Sequence, residues 1–130
     1  MTGVEGLIEA AAAVLWPHRV GDRVFGDVAS ALVTDKGTVY VGVCIDTSCG
    51  TGFCAEHAAI AAMVTAREYR IARIVAVTRG VDGVVVVPPC GRCREFIRQI
   101  DEANLEAEVI LGPDRITSLR ALLPAADWPV

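Results

Sequence analysis

The chain has 130 residues, 53% hydrophobic and 22% charged, a composition that excludes an intrinsically disordered segment. Its 12 basic and 16 acidic side chains give a formal net charge of −4. This charge argues against nucleic acid as the main partner, because such binding relies on Lys and Arg contacts to phosphates. The sequence has no uncharged apolar run of about 18 residues, as a membrane span would need. Acidic Glu5 and Glu9 near the start argue against a secretory signal, so we expect one cytoplasmic domain over residues 1–130.

Gly, Pro and Asp residues divide the sequence into short helical and strand-like segments. In chain order the predicted elements are a helix over 3–15, strands over 28–33 and 38–43, a helix over 54–69, strands over 71–77 and 84–87, a helix over 90–104, a strand over 107–111, and a helix from 112–114 to Pro124. Thr2 and Glu5 have the form of a capping box, residues 18–27 resemble a polar loop, and Asp35-Lys36-Gly37 is typical of a hairpin turn. Helices that alternate with short apolar strands predict an α/β fold, a three-layer α-β-α sandwich with a mixed sheet of about five strands.

The cysteines are the most informative residues for function. They are Cys44, Cys49, Cys54, Cys90 and Cys93. An odd number of cysteines without an export signal favours metal or redox chemistry over a disulfide framework. Cys90 and Cys93 stand three residues apart at the start of a predicted helix, so both side chains face one side and can bind one tetrahedral ion.

A third thiolate is available from Cys54, at the start of the preceding predicted helix. Two helix N-termini directed at one ion bring partial positive charge and free N–H groups to the sulfurs. Three protein ligands leave one coordination position open, which is characteristic of catalytic zinc, and zinc lowers the pKa of a water in that position. Glu56 is then the candidate proton carrier, and His57, Arg92 and Arg94 are candidate hydrogen-bond donors around the sulfurs.

Two other interpretations use the same cysteines. Cys49 and Cys54 with Cys90 and Cys93 could close a structural zinc site of four thiolates. Alternatively, Cys90-Gly91-Arg92-Cys93 at a strand-to-helix junction is similar to a thioredoxin-type redox motif. Stoichiometric zinc in the purified protein would argue against the redox module.

Cys54-Ala55-Glu56 together with Pro89-Cys90-Gly91-Arg92-Cys93 resembles the motif pair of the cytidine deaminase superfamily. The variant is similar to the all-cysteine class, the short cytidine deaminases and their blasticidin-S deaminase relatives, and the resemblance covers roughly residues 3–128. It implies one Zn²⁺ per subunit, held by Cys54, Cys90 and Cys93. It also implies a homotetramer with active sites at subunit contacts.

The resemblance further implies a hydrolytic reaction. The amino group of a pyrimidine-type ring is replaced by a carbonyl oxygen and leaves as ammonia. Glu56 takes a proton from water and delivers it to the ring nitrogen beside the amino-bearing carbon. The substrate is a cytidine- or deoxycytidine-like nucleoside or a free base such as a cytosine derivative. The alternative is a blasticidin-S-like compound or another aminated heterocycle.

The sequence departs from the family's pattern at substrate-binding positions. The Asn-x-Glu pair that holds ribose hydroxyls in cytidine deaminases corresponds here to Cys44 and Asp46. The family places an aromatic residue just before the strand that begins here at Val28; the corresponding residue, Phe25, stands one residue too early. The family also has an aromatic residue near the C-terminus, and Trp128 stands one residue beyond that position. The candidate substrate contacts are Phe25, Cys44, Asp46, Ala55 and Trp128. A weakly hydrogen-bonding thiol and a shorter carboxylate predict that cytidine is a weaker substrate than at least one free base or non-ribose compound.

Overall fold

The computed structural model describes residues 1–127 and 129. Its helices are α1 (Val4–Ala12), α2 (Ala55–Thr65), α3 (Gly91–Ile100), a 3-10 helix (Glu102–Glu106) and α4 (Leu119–Leu122). Its strands are β1 (His18–Val20), β2 (Arg23–Thr34), β3 (Val39–Ile45), β4 (Ile71–Gly80), β5 (Gly83–Val87), β6 (Glu108–Gly112) and β7 (Arg115–Ser118). Within the described part of the chain, no helix combines the length and the apolar composition needed to cross a bilayer.

The strands form one mixed sheet of seven. β2 pairs antiparallel with β1, β3 and β4, and β4 pairs antiparallel with β5. β6 lies parallel to β4 and antiparallel to β7. The parallel pair requires a crossover connection, and α3 lies in it. The predicted mixed sheet is confirmed, but about five strands was too few.

β1 and β7 are the strands that the sequence analysis did not predict. The segment 18–27, expected as a loop, forms a hairpin because Gly21, with φ of 61°, permits a two-residue turn between Val20 and Arg23. Pro113-Asp114 likewise makes the turn of the β6–β7 hairpin rather than the start of a helix. The last helix is therefore the four-residue α4.

Helix boundaries also differ from the predictions. The capping box expected from Thr2 and Glu5 does not form, since the N-cap of α1 is Gly3 and no side chain caps the helix. α2 ends earlier than expected, and Arg67, two residues beyond it, adopts a positive φ of 65°. α3 also ends earlier, because Asp101 becomes extended and its carboxylate instead accepts a hydrogen bond that begins the 3-10 helix.

Each face of the sheet carries its own hydrophobic core. On one face α1 packs Leu7 and Ala11 against β2 and β4. On the opposite face α2, α3 and α4 pack against the other side of the same strands; the buried residues there include Leu32, Ile60, Met63, Ile74, Ile97, Val109 and Leu119. Side-chain alternation along β2 sends Ala31 to the first core and Leu32 to the second. The predicted three-layer sandwich is confirmed.

Two close contacts fix the start of α2 relative to the sheet. β3 passes so near α2 that a Cβ on Gly42 would lie 2.4 Å from the backbone nitrogen of Ala59. At the end of β3, Ile45 and Phe53 form an isolated antiparallel bridge with N···O distances of 3.1 and 2.9 Å. This bridge closes the loop of residues 46–52 at its base and places Cys54 directly after it.

Candidate active site

Three cysteine sulfurs meet where α2 and α3 begin. Cys54 is the N-cap residue of α2 and Cys90 that of α3. The Sγ atom of Cys90 lies 3.6 Å from that of Cys54 and 3.5 Å from that of Cys93. Two sulfurs bonded at ~2.3 Å to one tetrahedral zinc lie about 3.8 Å apart, so the observed spacing fits ligands of a single ion.

The ionisation of these thiols is strongly perturbed. Burial raises the pKa of Cys93, and the negative charge of Glu56 raises it further. Burial and the nearby Cys90 thiol raise the pKa of Cys54. Although burial acts in the same direction on Cys90, hydrogen bonds, first that from the Cys93 backbone N–H, lower its pKa. A bound cation would favour the thiolate form of all three, and this donor set is one that Zn²⁺ prefers.

His57 lies beside the same cluster. Its Nδ1 atom is 3.5 Å from the Cys93 sulfur, and its ring stacks on Phe96 with centroids 4.1 Å apart. Burial, followed by the charge of Arg92, lowers the pKa of His57. The ligand atoms of Cys54, His57 and Cys93 lie within 4.8 Å of one another, an arrangement consistent with one Zn²⁺. Cys54 and Cys93 can therefore be joined by either of two third ligands, Cys90 or His57.

Glu56 stands next to the cluster in the first turn of α2. It is only 5% exposed, and it lines a small cavity together with Ile74, Ala76 and Pro89. Burial in these apolar surroundings raises the pKa of its carboxyl group. A carboxyl group whose pKa is raised by burial is suited to accept and return a proton.

Cys49 does not join the other thiols. It is exposed in the loop of residues 46–52, where its backbone adopts a φ of 62°. Among the residues that the structure describes, the group whose ligand atoms all lie within 4.8 Å of one another contains Cys54, His57 and Cys93; Cys90 is outside this group but its sulfur lies within 3.6 Å of two other sulfurs, whereas no such contact is found for Cys49. The geometry thus gives no support to the structural site of four cysteines.

The two arginines expected near the sulfurs make their hydrogen bonds to backbone carbonyls. Arg92 reaches the carbonyl of Gly52 at 3.4 Å, which links the start of α3 to the segment before Cys54. Arg94 donates to the carbonyls of Pro89 at 2.9 Å and Leu122 at 3.2 Å. In these contacts both arginines brace the chain around the cluster.

The candidate substrate contacts lie in different surroundings. Ala55 is fully buried, whereas Asp46 is exposed at the start of the loop. Phe25 is half-buried, with its ring centroid 6.2 Å from that of His18. The Cys44 thiol donates a hydrogen bond to Asp27 Oδ1 at 3.0 Å. Trp128 lies outside the described residues.

Sequence reasoning missed two residues of this region. Phe96 was detectable, because it stands three residues after Cys93 and so shares its helix face. Asp27 was not detectable, because β2 bulges between Phe25 and Ala29. The three β2 residues between these two lie opposite a single β3 residue, Cys44. This bulge also accommodates the extra residue after Phe25.

Comparison with known proteins was made on both sequence and structure. The family model described as the cytidine and deoxycytidylate deaminase zinc-binding region matches residues 4–107. No curated protein matches the chain. The match includes both cysteine motifs and Glu56.

Solved structures share the fold over nearly the whole chain. Cytidine deaminase from Burkholderia pseudomallei is 28% identical, with 97% of this chain and 100% of that chain covered and a TM-score of 0.77. Cytidine deaminase from Mycobacterium tuberculosis is 28% identical, with 94% and 91% covered and a TM-score of 0.70. Cytidine deaminase from Mycobacterium leprae is 24% identical, with 92% and 96% covered and a TM-score of 0.75, a likeness of fold.

Proposed function

Since this chain belongs to the cytidine and deoxycytidylate deaminase family, we propose that it is a zinc-dependent hydrolytic deaminase acting on a pyrimidine-type ring. The amino-bearing ring carbon gains a carbonyl oxygen from water and loses ammonia. The observation that carries the proposal is the cluster of three sulfurs with the buried carboxyl group of Glu56 beside it. The substrate is a cytidine- or deoxycytidine-like nucleoside or a free base, with a blasticidin-S-like compound as the alternative.

In this proposal Cys54, Cys90 and Cys93 hold Zn²⁺, which when bound makes water a potent nucleophile at neutral pH. The Glu56 carboxylate accepts one proton from water and delivers it to the ring nitrogen; it then carries a second proton, from the hydroxyl group added to the ring carbon, to the leaving amino group. The burial that raises its pKa supports this role. In the tautomer with the proton on Nδ1, His57 donates to the Cys93 sulfur 3.5 Å away and so limits the negative charge on that sulfur.

The test is ammonia release by the zinc-loaded protein over cytosine-, adenine- and guanine-type bases, their nucleosides and blasticidin S. We expect turnover of at least one pyrimidine compound. Glu56→Gln should lower kcat by about 10²- to 10⁴-fold while the zinc content stays stoichiometric. Glu5 is exposed on the surface of α1, so Glu5→Gln is the matched control and should leave kcat unchanged. Full turnover by Glu56→Gln, or no turnover of any pyrimidine compound, would contradict the proposal.

The structural-zinc alternative is tested separately. Cys49 is exposed and outside the cluster, so Cys49→Ser should retain both stoichiometric zinc and turnover. Metal analysis of the purified variant gives the answer. Loss of zinc from this variant would instead support the four-cysteine site.

We also propose a homotetramer with active sites at subunit contacts, in a reducing compartment such as the cytoplasm. α2 supports the assembly, because Ala61 and Ala62 leave an apolar part of it exposed in a single chain. Five free cysteines support the compartment. Light scattering after size exclusion should give a mass four times that of the chain, and a fully active monomer would contradict this arrangement.

A further inference from the structure

Asp27 and Cys44 form a pair beside the cluster that the proposed chemistry does not use. The thiol donates to Asp27 Oδ1 at 3.0 Å, and both side chains are half-buried. Burial and the hydrogen bond to Asp27 raise the pKa of Cys44, which keeps the thiol protonated as a donor. Among the described residues, this weak donor gives the carboxylate its only side-chain hydrogen bond.

The pair lies on the site side of the sheet, level with the start of α2. Gly42 faces α2 at Ala58 and Ala59, and Cys44, two residues on, points to the same face. Two strand residues advance about 6.7 Å, which equals about four residues of a helix. The chain passes from β3 through the Ile45–Phe53 bridge into α2, so α2 runs back along β3. The step from Gly42 to Cys44 along β3 therefore corresponds to the step from Ala59 back to the first turn of α2, where Cys54 and Glu56 lie.

The backbone holds Asp27 rigidly. Its carbonyl accepts a hydrogen bond from Thr78 Oγ1 at 2.7 Å, and the carbonyl of Gly26 accepts one from the Trp16 N–H at 3.1 Å. Gly26 has a φ of 76°, and a Cβ there would lie 2.6 Å from the Trp16 carbonyl oxygen. These contacts therefore fix the backbone of the β2 bulge that carries the Asp27 carboxylate.

We propose that Asp27 is a specificity-determining residue, which selects rings whose substituent carries neutral or cationic hydrogen-bond donors and rejects rings whose substituent carries a phosphate. This inference rests on the proposed deaminase function. An ionised carboxylate only accepts hydrogen bonds, so a sugar hydroxyl or an ammonium group is a stronger partner for it than the Cys44 thiol. A phosphate in the same place faces like-charge repulsion.

The experiment compares four compounds that share the cytosine ring: cytidine, 5′-amino-5′-deoxycytidine, cytosine and cytidine 5′-monophosphate. Of the two donor-bearing compounds the zinc-loaded wild type should prefer one, and it should act on that preferred compound faster than on the phosphate. Asp27→Asn should raise KM for the preferred compound by about 10- to 100-fold with a smaller change in kcat. The same variant should leave cytosine unchanged and improve the relative rate of the phosphate.

Asp22→Asn is the matched control, since it removes one negative charge from the exposed β1–β2 turn. It should change none of these ratios. Cys44→Ser gives an independent variant: its hydroxyl is a stronger donor to Asp27 than the thiol, so it competes with the substrate and should raise KM for the same compound. Zinc content and melting temperature identify any variant whose fold has changed.

Binding to zinc-loaded Glu56→Gln, measured by calorimetry, separates this inference from the proposed function. The four compounds should bind in the order found for turnover. Equal binding of cytidine and its phosphate, or an unselective effect of Asp27→Asn, would overturn the role of Asp27 while leaving the deaminase intact. A protein that neither binds nor deaminates any of the four contradicts both.

Discussion

At the scale of single residues, the two helix N-caps show function taking precedence over local stability. Ser, Thr, Asp and Asn are the favoured N-cap residues, because their oxygens accept hydrogen bonds from free N–H groups. α2 and α3 both begin instead with cysteine, and in α3 the Cys90 sulfur accepts from the Cys93 N–H at 3.4 Å. In α3 an N–H group that a capping oxygen would satisfy is thus bound to a sulfur, whereas no side chain caps α2.

The choice of the third ligand gives a prediction at this scale. Cys90→Ser should lose most of its zinc, because the Cys90 sulfur lies close to both neighbouring sulfurs. His57→Ala should retain stoichiometric zinc with an affinity about 10- to 100-fold weaker, since His57 acts through its hydrogen bond to Cys93. Metal analysis and competition with a chelator measure both effects. The reverse pattern would assign the third ligand to His57.

The residues of the site differ in how far the sequence determines them. Cys54, Glu56, Cys90 and Cys93 were predictable because short spacings on two helix starts bring them together. Asp27 depends on a bulge and on a hydrogen bond to a residue 17 positions away, which no local pattern encodes.

At the scale of elements, the contact between β3 and α2 sets the position of the site. Gly42 permits it, since a Cβ there would also lie 2.5 Å from the Ala58 Cβ. The contact involves backbone atoms and the Ala58 Cβ, and it has no flexible side chain that could move aside.

Gly42→Ala should therefore destabilise the protein by about 1–3 kcal/mol, because the two elements must separate. Urea unfolding measures the change. Gly6→Ala in α1 is the control: its nearest neighbour is the flexible methyl group of Thr2 at 3.0 Å, so it should be neutral or stabilising. Equal stability of Gly42→Ala and wild type would show that β3 and α2 do not pack this closely.

The elements themselves were predictable to different extents. Strands β2, β3 and β4 carry long apolar runs, so their existence followed from the sequence. β1 and β7 are short hairpin strands with exposed residues such as His18 and Arg115, and their polar composition resembles that of a loop. Pairing with a long neighbouring strand, rather than their own residues, makes them strands.

At the scale of the whole molecule, the cluster joins two helices that are otherwise in limited contact. A metal held by Cys54 and by Cys90 with Cys93 would tie the start of α2 to that of α3. Zinc bound in this way would contribute to folding as well as to the proposed turnover.

Chelation of the metal should lower the melting temperature by at least about 5 °C. Differential scanning calorimetry with and without a chelator tests this, and added zinc should restore the original value. In Cys93→Ser, which lacks a proposed ligand, the chelator should have little effect. A melting temperature that does not respond in the wild type would show that the metal has no structural part.

The Ile45–Phe53 bridge has a consequence for protein engineering. It clamps the base of the 46–52 loop, so the amino acids beyond the clamp can be exchanged, shortened or extended without displacing Cys54. Gly52 must stay, as a Cβ there would lie 2.3 Å from the Ile45 carbonyl oxygen. Randomised libraries restricted to this loop should therefore leave the cysteine cluster and Glu56 in place.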